Sequence, residues 1–227
     1  YREDLWRHAL GGGRLNFHPL YPRAIDRDLI TSLLDDRLLA AEARVRLLNF
    51  ISTQTIDCPV AVIFGHPAAD NFASPACADV GLDLTNRLWA EGFYADLIPS
   101  SEIASGALKI ADDGHVQYGS QRYAAAVFYH PQYERAGAAE FFRKAAAGSS
   151  ARRTALYRVG EWTVDFDGRP FDGPAALPGS MKAMDVASCA AEITASLKAA
   201  GIEPQTPCTM RTGAGFPPSM MPRPAGH

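Results

Sequence analysis

The sequence predicts an α/β protein: a doubly wound, mostly parallel sheet of flavodoxin-like order, preceded by a strand and a long helix. Two observations carry this. Between residues 58 and about 210, short, continuously apolar, β-rich runs alternate with helical patterns. Such runs are what strands buried on both faces require, and a helix between each pair makes βαβ units. With the first of these strands central, the flavodoxin-like order follows as the natural arrangement.

The elements follow in chain order. Gly11-Gly12-Gly13 precedes Arg14-Leu15-Asn16-Phe17-His18, where apolar and polar residues alternate as in a short strand. Pro19 and Pro22 end it. Asp26 or Asp28 can cap a helix from Leu29 to Phe50. Its apolar positions Leu34, Leu38, Ala41, Val45 and Leu48 step by 4, 3, 4 and 3, which makes one continuous seam. A helix of roughly 33 Å needs a neighbour along that seam. Pro59-Val-Ala-Val-Ile-Phe64 is the first strand of the α/β region, followed by a loop with Pro67 and Pro75. A helix from Val80 to Glu91 offers Leu84, Leu88 and Trp89 to the core, and Gly92 stops it. Tyr94–Ile98 and Ala124–Tyr129 read as the next strands. Ala136–Ala147 reads as a helix with Phe141 and Phe142 on one side, and Thr154–Val159 as a fourth strand. Ala183–Ala200 is the last helix, with Val186, Ala190, Ile193 and Leu197 in register and Gly201 as its stop. Asp113-Gly114 and Asp167-Gly168 predict two hairpin-like inserts, at 109–118 and 161–170. Residues 211–227 are rich in Pro and Gly and predict an extended tail. The expected divisions are therefore 1–57, 58–210 and 211–227.

Composition excludes several classes. The chain has 227 residues, is 47% hydrophobic and carries a net charge of −3, so it can build a core and is no disordered tail. Without a basic surplus, nucleic acid is not an expected partner. No apolar run approaches the ~20 residues of a membrane helix. The four cysteines, Cys58, Cys77, Cys189 and Cys208, are far apart and form no C-x-x-C pair. They read as reduced thiols of a cytoplasmic protein. The chain starts at Tyr1 with a polar segment, which reads as a piece of something longer.

Chemistry in an open α/β sheet belongs beyond the carboxyl ends of the strands, at the switch point. Two strands here run into histidine: Phe64-Gly65-His66-Pro67 and Tyr129-His130-Pro131-Gln132-Tyr133-Glu134. If those loops are neighbours, His66, Asn71, His130 and Glu134 line one cleft. The alternative is that each histidine only caps a strand end. Familiar cofactor motifs are missing. No G-x-G-x-x-G follows the first strand, no P-loop exists, and no G-x-S-x-G or G-x-C-x-G elbow exists. The acidic run Thr163–Gly168 lacks the first and twelfth ligands of a calcium loop, since Thr163 and Pro174 stand there. No cofactor, no metal and no catalytic residue are assigned from the sequence. Glu102, Glu134, Glu161 and Asp165 lie on different segments, so no acid pair for glycoside hydrolysis can be read from spacing.

Several stretches carry a family resemblance: Pro59–His66, Asn71-Phe-Ala-Ser-Pro75, Asp79-Val-Gly81, Leu88-Trp89, Gly92–Ser100 and Tyr123–Pro131. Over residues 58 to about 205 the chain resembles the C-terminal part of large bacterial glycoside hydrolases. In these a (β/α)₈ barrel is followed by a flavodoxin-like domain, related to class I amidotransferases and to a β-galactosidase trimerisation domain. The resemblance implies a non-catalytic domain in a homo-oligomer, whose carbohydrate partner is met through the full-length enzyme. It makes Arg14–Pro22 the last barrel strand with its loop, which puts Asn16 and His18 near the barrel's site face. Two rivals stand beside it: a free-standing α/β small-molecule-binding protein using a His66/His130 cleft, and a self-contained hydrolase using Glu134 and His130.

Overall fold

The computed structural model describes residues 36–51, 57–73, 75–147 and 153–205. The chain divides into two compact units at Ile56/Asp57. In the first, helix α1 spans Asp36–Ile51, with Leu48 buried and Val45 half-buried. The expected strand with Asn16 and His18, the capping Asp26 and Asp28, the side chains of Leu34, Leu38 and Ala41, and the tail 211–227 lie outside the described residues.

The second unit holds a five-stranded sheet in the order β2-β1-β6-β7-β8, every neighbouring pair parallel. Its strands are β1 (Val60–Phe64), β2 (Ala95–Pro99), β6 (Ala125–Tyr129), β7 (Ala155–Val159) and β8 (Ala183–Met184). This is the flavodoxin-like order. Val60 lies opposite Ala95 on one side and Ala125 on the other, so β1 is central. Val60, Ile63, Val127 and Phe128 are fully buried, as a strand covered on both faces demands.

Residue alternation sorts the two faces. Val60, Val62, Val127 and Val159 meet Leu84 and Leu88 of α3 (Leu82–Ala90) and Ile193 and Leu197 of α7 (Val186–Ala199). Phe128 points the other way, onto Phe142 of α5 (Ala136–Ala147) and Trp162. Asp79 starts α3: its Oδ1 accepts the amides of Gly81 and Leu82 at 2.9 and 2.7 Å.

Three details differ from the sequence reading, and the two inserts are hairpin-like as expected. The segment after β1 is not all loop: His66–Asp70 forms the short helix α2, with Pro67 in its first turn, where a missing N–H costs nothing. A second short helix, α4 (Ser101–Ser105), follows β2. The last helix starts later than expected. Ala183–Met184 forms β8, and Asp185 caps α7 by accepting the Ser188 amide at 2.9 Å. Of the two inserts, the first forms β3 (Leu108–Ile110) and β4 (Val116–Tyr118). These join β5 (Gln121–Tyr123) in a separate antiparallel sheet. The second is a tight turn with one antiparallel bridge, Val164 to Pro170, followed by the short helix α6 (Gly173–Ala176).

Candidate functional site

The carboxyl ends of β1, β2 and β6 surround a cavity of about 690 Å³. The size suits a small ligand. The main-chain ladder continues past the strands. Gly65 N–H donates to the Tyr129 carbonyl, and Ser100 N–H to the Phe64 carbonyl, each at 3.0 Å. This holds His66, Ser100 and Glu134 at one level.

Glu134 is the buried group of the site, 3% exposed. The Ser100 hydroxyl donates to its Oε1, and the Arg135 amide reaches its Oε2 at 3.3 Å. Ser100 Oγ in turn accepts the His66 amide at 3.0 Å. Burial pushes the Glu134 carboxyl up to about 7, against the hydrogen bonds from Ser100, Arg135 and the His66 amide. The acid is therefore partly protonated at neutral pH.

Around this floor stand groups of both charges. His66 Nε2 lies 3.1 Å from Asp70 Oδ2, one helical turn on. The Arg135 guanidinium sits 4.2 Å above the Phe166 ring. The Phe166 turn is tied to the loop after β6 by Gln132, whose Oε1 accepts the amides of Thr163 and Val164 at 3.0 and 3.1 Å.

Of the four residues expected at the cleft, His66, Asn71 and Glu134 line the cavity. His130 does not. Its backbone turns left-handed, with φ of 47°, which directs the imidazole against Gly160 beyond β7. There burial lowers its pKa, opposed by nearby Asp79, and the ring stacks edge-on against Tyr129. His66 and His130 therefore do not face one another across this cavity. Tyr129 donates its hydroxyl to Asp79 Oδ2 at 2.5 Å on the same side. Burial works against the Asp79 carboxylate. The Tyr129 hydroxyl and the amides of Gly81, Leu82 and Asp83 outweigh it and keep its pKa below the usual value. Asn16 and His18 lie outside the described residues.

Sequence reasoning missed Asp70, Ser100, Ser101, Arg135 and Phe166 on the cavity wall. Ser100 and Ser101 had a usable signal: they directly follow a strand, where this sheet type places its ligands.

Gly65 sets the width of the floor. A Cβ there would overlap the His130 carbonyl, so the β1 and β6 loops can approach only around glycine. Gly65→Ala is expected to cost about 1–3 kcal/mol, as overpacking does. Denaturant unfolding measures it, and an unchanged midpoint would show that the loops yield freely.

Among the described residues no cluster of histidine, cysteine and acid suits a metal ion, and no helix is long and apolar enough to cross a membrane. Comparison with protein-family models, curated proteins and solved structures finds no match to this chain.

Proposed function

We propose that the unit from Asp57 onward is a non-catalytic, amidotransferase-like scaffold within a carbohydrate-active glycoside hydrolase. It serves assembly of a homo-oligomer or shapes the rim of a neighbouring barrel site. Carbohydrate is met through the full-length enzyme, and the setting is cytoplasmic.

One observation carries the reading. The turn after β6, where an amidotransferase-like fold would place its nucleophile, runs Tyr129-His130-Pro131-Gln132-Tyr133-Glu134 and bears no serine or cysteine. The cysteines offer no substitute. Burial holds the Cys58 thiol far above its ordinary pKa and pushes Cys189 up to about 12, so neither is a thiolate at neutral pH. Cys77 is exposed and is not part of the cavity wall. Free thiols at Cys58, Cys77 and Cys189 agree with a reducing compartment.

A second reading, a self-contained hydrolase, draws on one specific feature. Glu134 is a buried acid with a pKa near 7 at the edge of a cavity, the profile of a general acid. Against it stands the lack of a second carboxylate on the cavity floor. Asp70, the other acid of the wall, is 62% exposed at its side chain and paired with His66.

The test is turnover of a panel of aryl glycosides by the purified 227-residue chain. No turnover above background is expected. Robust turnover that disappears in Glu134→Gln would replace the scaffold reading with the hydrolase.

A further inference from the structure

The cavity at the strand ends has a chemistry of its own, separate from whether the domain turns over substrate. Its floor is the Ser100–Glu134 pair. One wall is apolar, from Ile103 of α4 and Ala138 of α5, and the rim carries Phe166, 47% exposed, with Arg135 stacked on it.

Charge excludes two ligand classes. An anion would seek the start of α5 and the Arg135 guanidinium. That helix start is already occupied, since the Arg135 amide donates to Glu134 Oε2, and the Asp70 carboxylate stands on the same wall. A cation would seek those two acids. Asp70 is paired with His66, and Glu134 is enclosed by three donors: the Ser100 hydroxyl and the amides of Arg135 and His66. Burial also holds Glu134 toward its neutral form. What remains is a wall of mixed donors and acceptors beside apolar surface. The Ser101 hydroxyl and the Arg135 guanidinium can donate, and the Asp70 carboxylate and Asn71 amide oxygen can accept. A hydroxyl is both donor and acceptor, and a ring of such groups has an apolar C–H face that an exposed aromatic ring can cover.

We infer that this cavity is a binding site for a small, neutral, polyhydroxylated ring molecule, seated between Phe166 and the Ser100–Glu134 floor. The inference does not require the scaffold reading. Binding without turnover supports both, turnover overturns only the scaffold, and loss of binding overturns only this site.

Gly137 supplies the blocking variant. It lies on the cavity wall in the first turn of α5, and a Cβ there meets nothing within 4 Å. Gly137→Phe therefore adds a bulky ring at the cavity wall without a clash at its base, and removing a helical glycine favours the helix. The experiment titrates the purified full chain with methyl β-D-glucopyranoside, methyl β-D-galactopyranoside and myo-inositol, with sodium acetate and magnesium chloride as charged controls. Amide NMR shifts report binding. At least one polyol is expected to saturate with Kd on the order of 1 mM. Its shifts should centre on Ser100, Ser101 and Arg135. Phe166→Ala, at an exposed position, should weaken it about fivefold or more, and Gly137→Phe should abolish it while the melting temperature holds. Any of three results overturns the inference: no polyol saturates, acetate or magnesium binds the cavity in preference, or polyol binding survives Gly137→Phe.

Discussion

Truncating Phe128 to alanine should cost about 3–5 kcal/mol, the range for removing a fully enclosed aromatic side chain. Phe128 has no exposed surface and lies in β6, between β1 and β7. Its ring packs at 4.7 Å from Phe142 and edge-on at 5.5 Å from Trp162, which itself stacks on Phe171 at 4.6 Å. The substitution therefore empties the joint between the sheet, helix α5 and the turn that carries Phe166. Those neighbours are held by the backbone. Trp162 is anchored by its Nε1–H to the Val164 carbonyl at 3.1 Å, so collapse into the gap is limited. Domains are stable by only about 5–15 kcal/mol, so the loss is a large share of the total. The melting temperature should fall by roughly 10 °C. Phe72→Ala is the control: that side chain is 87% exposed, and a change within about 0.5 kcal/mol is expected. A loss below about 1 kcal/mol for Phe128→Ala would show that this face of the sheet is not closely packed.

Stability should fall as pH rises from about 4.5 to about 7, through Glu134. The unfolded chain releases this proton near the ordinary glutamate value of 4.5, whereas the folded protein keeps it until about 7. Between those values the native state binds the extra proton, so the stability gradient is negative, about 1.4 kcal/mol per pH unit. The full swing is about 3 kcal/mol, complete once pH exceeds the folded value. Two groups have the opposite sign. Asp79 has a depressed pKa, which puts its effect on the acid side of this window. His130, whose pKa is lowered by burial, adds stability inside the window as pH rises toward the ordinary histidine value of 6.5. Both are common to parent and variant, so the comparison with Glu134→Gln isolates Glu134. Glu134→Gln imitates the protonated acid. It should match the parent near pH 5, exceed it in stability at pH 8 and flatten the profile between. Urea midpoints at several pH values measure this. Parallel profiles for parent and variant would mean that Glu134 ionises normally.

The sequence announced the sheet well because its strands are covered on both faces. Ala124–Tyr129 is apolar throughout, and the observed β6 begins one residue later. Ala136–Ala147 carries its two phenylalanines on the buried side and matches α5 end to end. β8 was hidden because two residues have no periodicity, and Ala183–Met184 merges with the helical pattern that follows. The Asp185/Ser188 spacing marks the true start of that helix. α2 and α4 are each a single turn or so, too short for a seam. The cleft was half legible. His66 and Glu134 follow from strand ends alone. The direction of His130 depends on a left-handed φ that its residue type does not announce, and Tyr133 repeats the conformation three residues later with φ of 60°. Arg135 and Phe166 meet across about thirty residues of chain because Gln132, the Tyr133 N–H donating to the Val164 carbonyl at 3.0 Å and the Glu134–Asp165 bridge tie the two loops together.

The all-parallel sheet also shapes how the chain reaches its fold. A hairpin can pair as soon as its turn is made, but β1 has no such local partner. It pairs with β2 only after α3 is in place, and Val60 meets Ala125 after the whole β3–β5 insert has been traversed. Each closure costs loop entropy before any contact repays it, which is the signature of a slow, high-contact-order folder. During synthesis, the apolar β1 leaves the ribosome well ahead of β6, the strand that covers its second edge. The early intermediate therefore displays an unpaired, continuously apolar strand, and that interval is where the chain is most exposed to self-association.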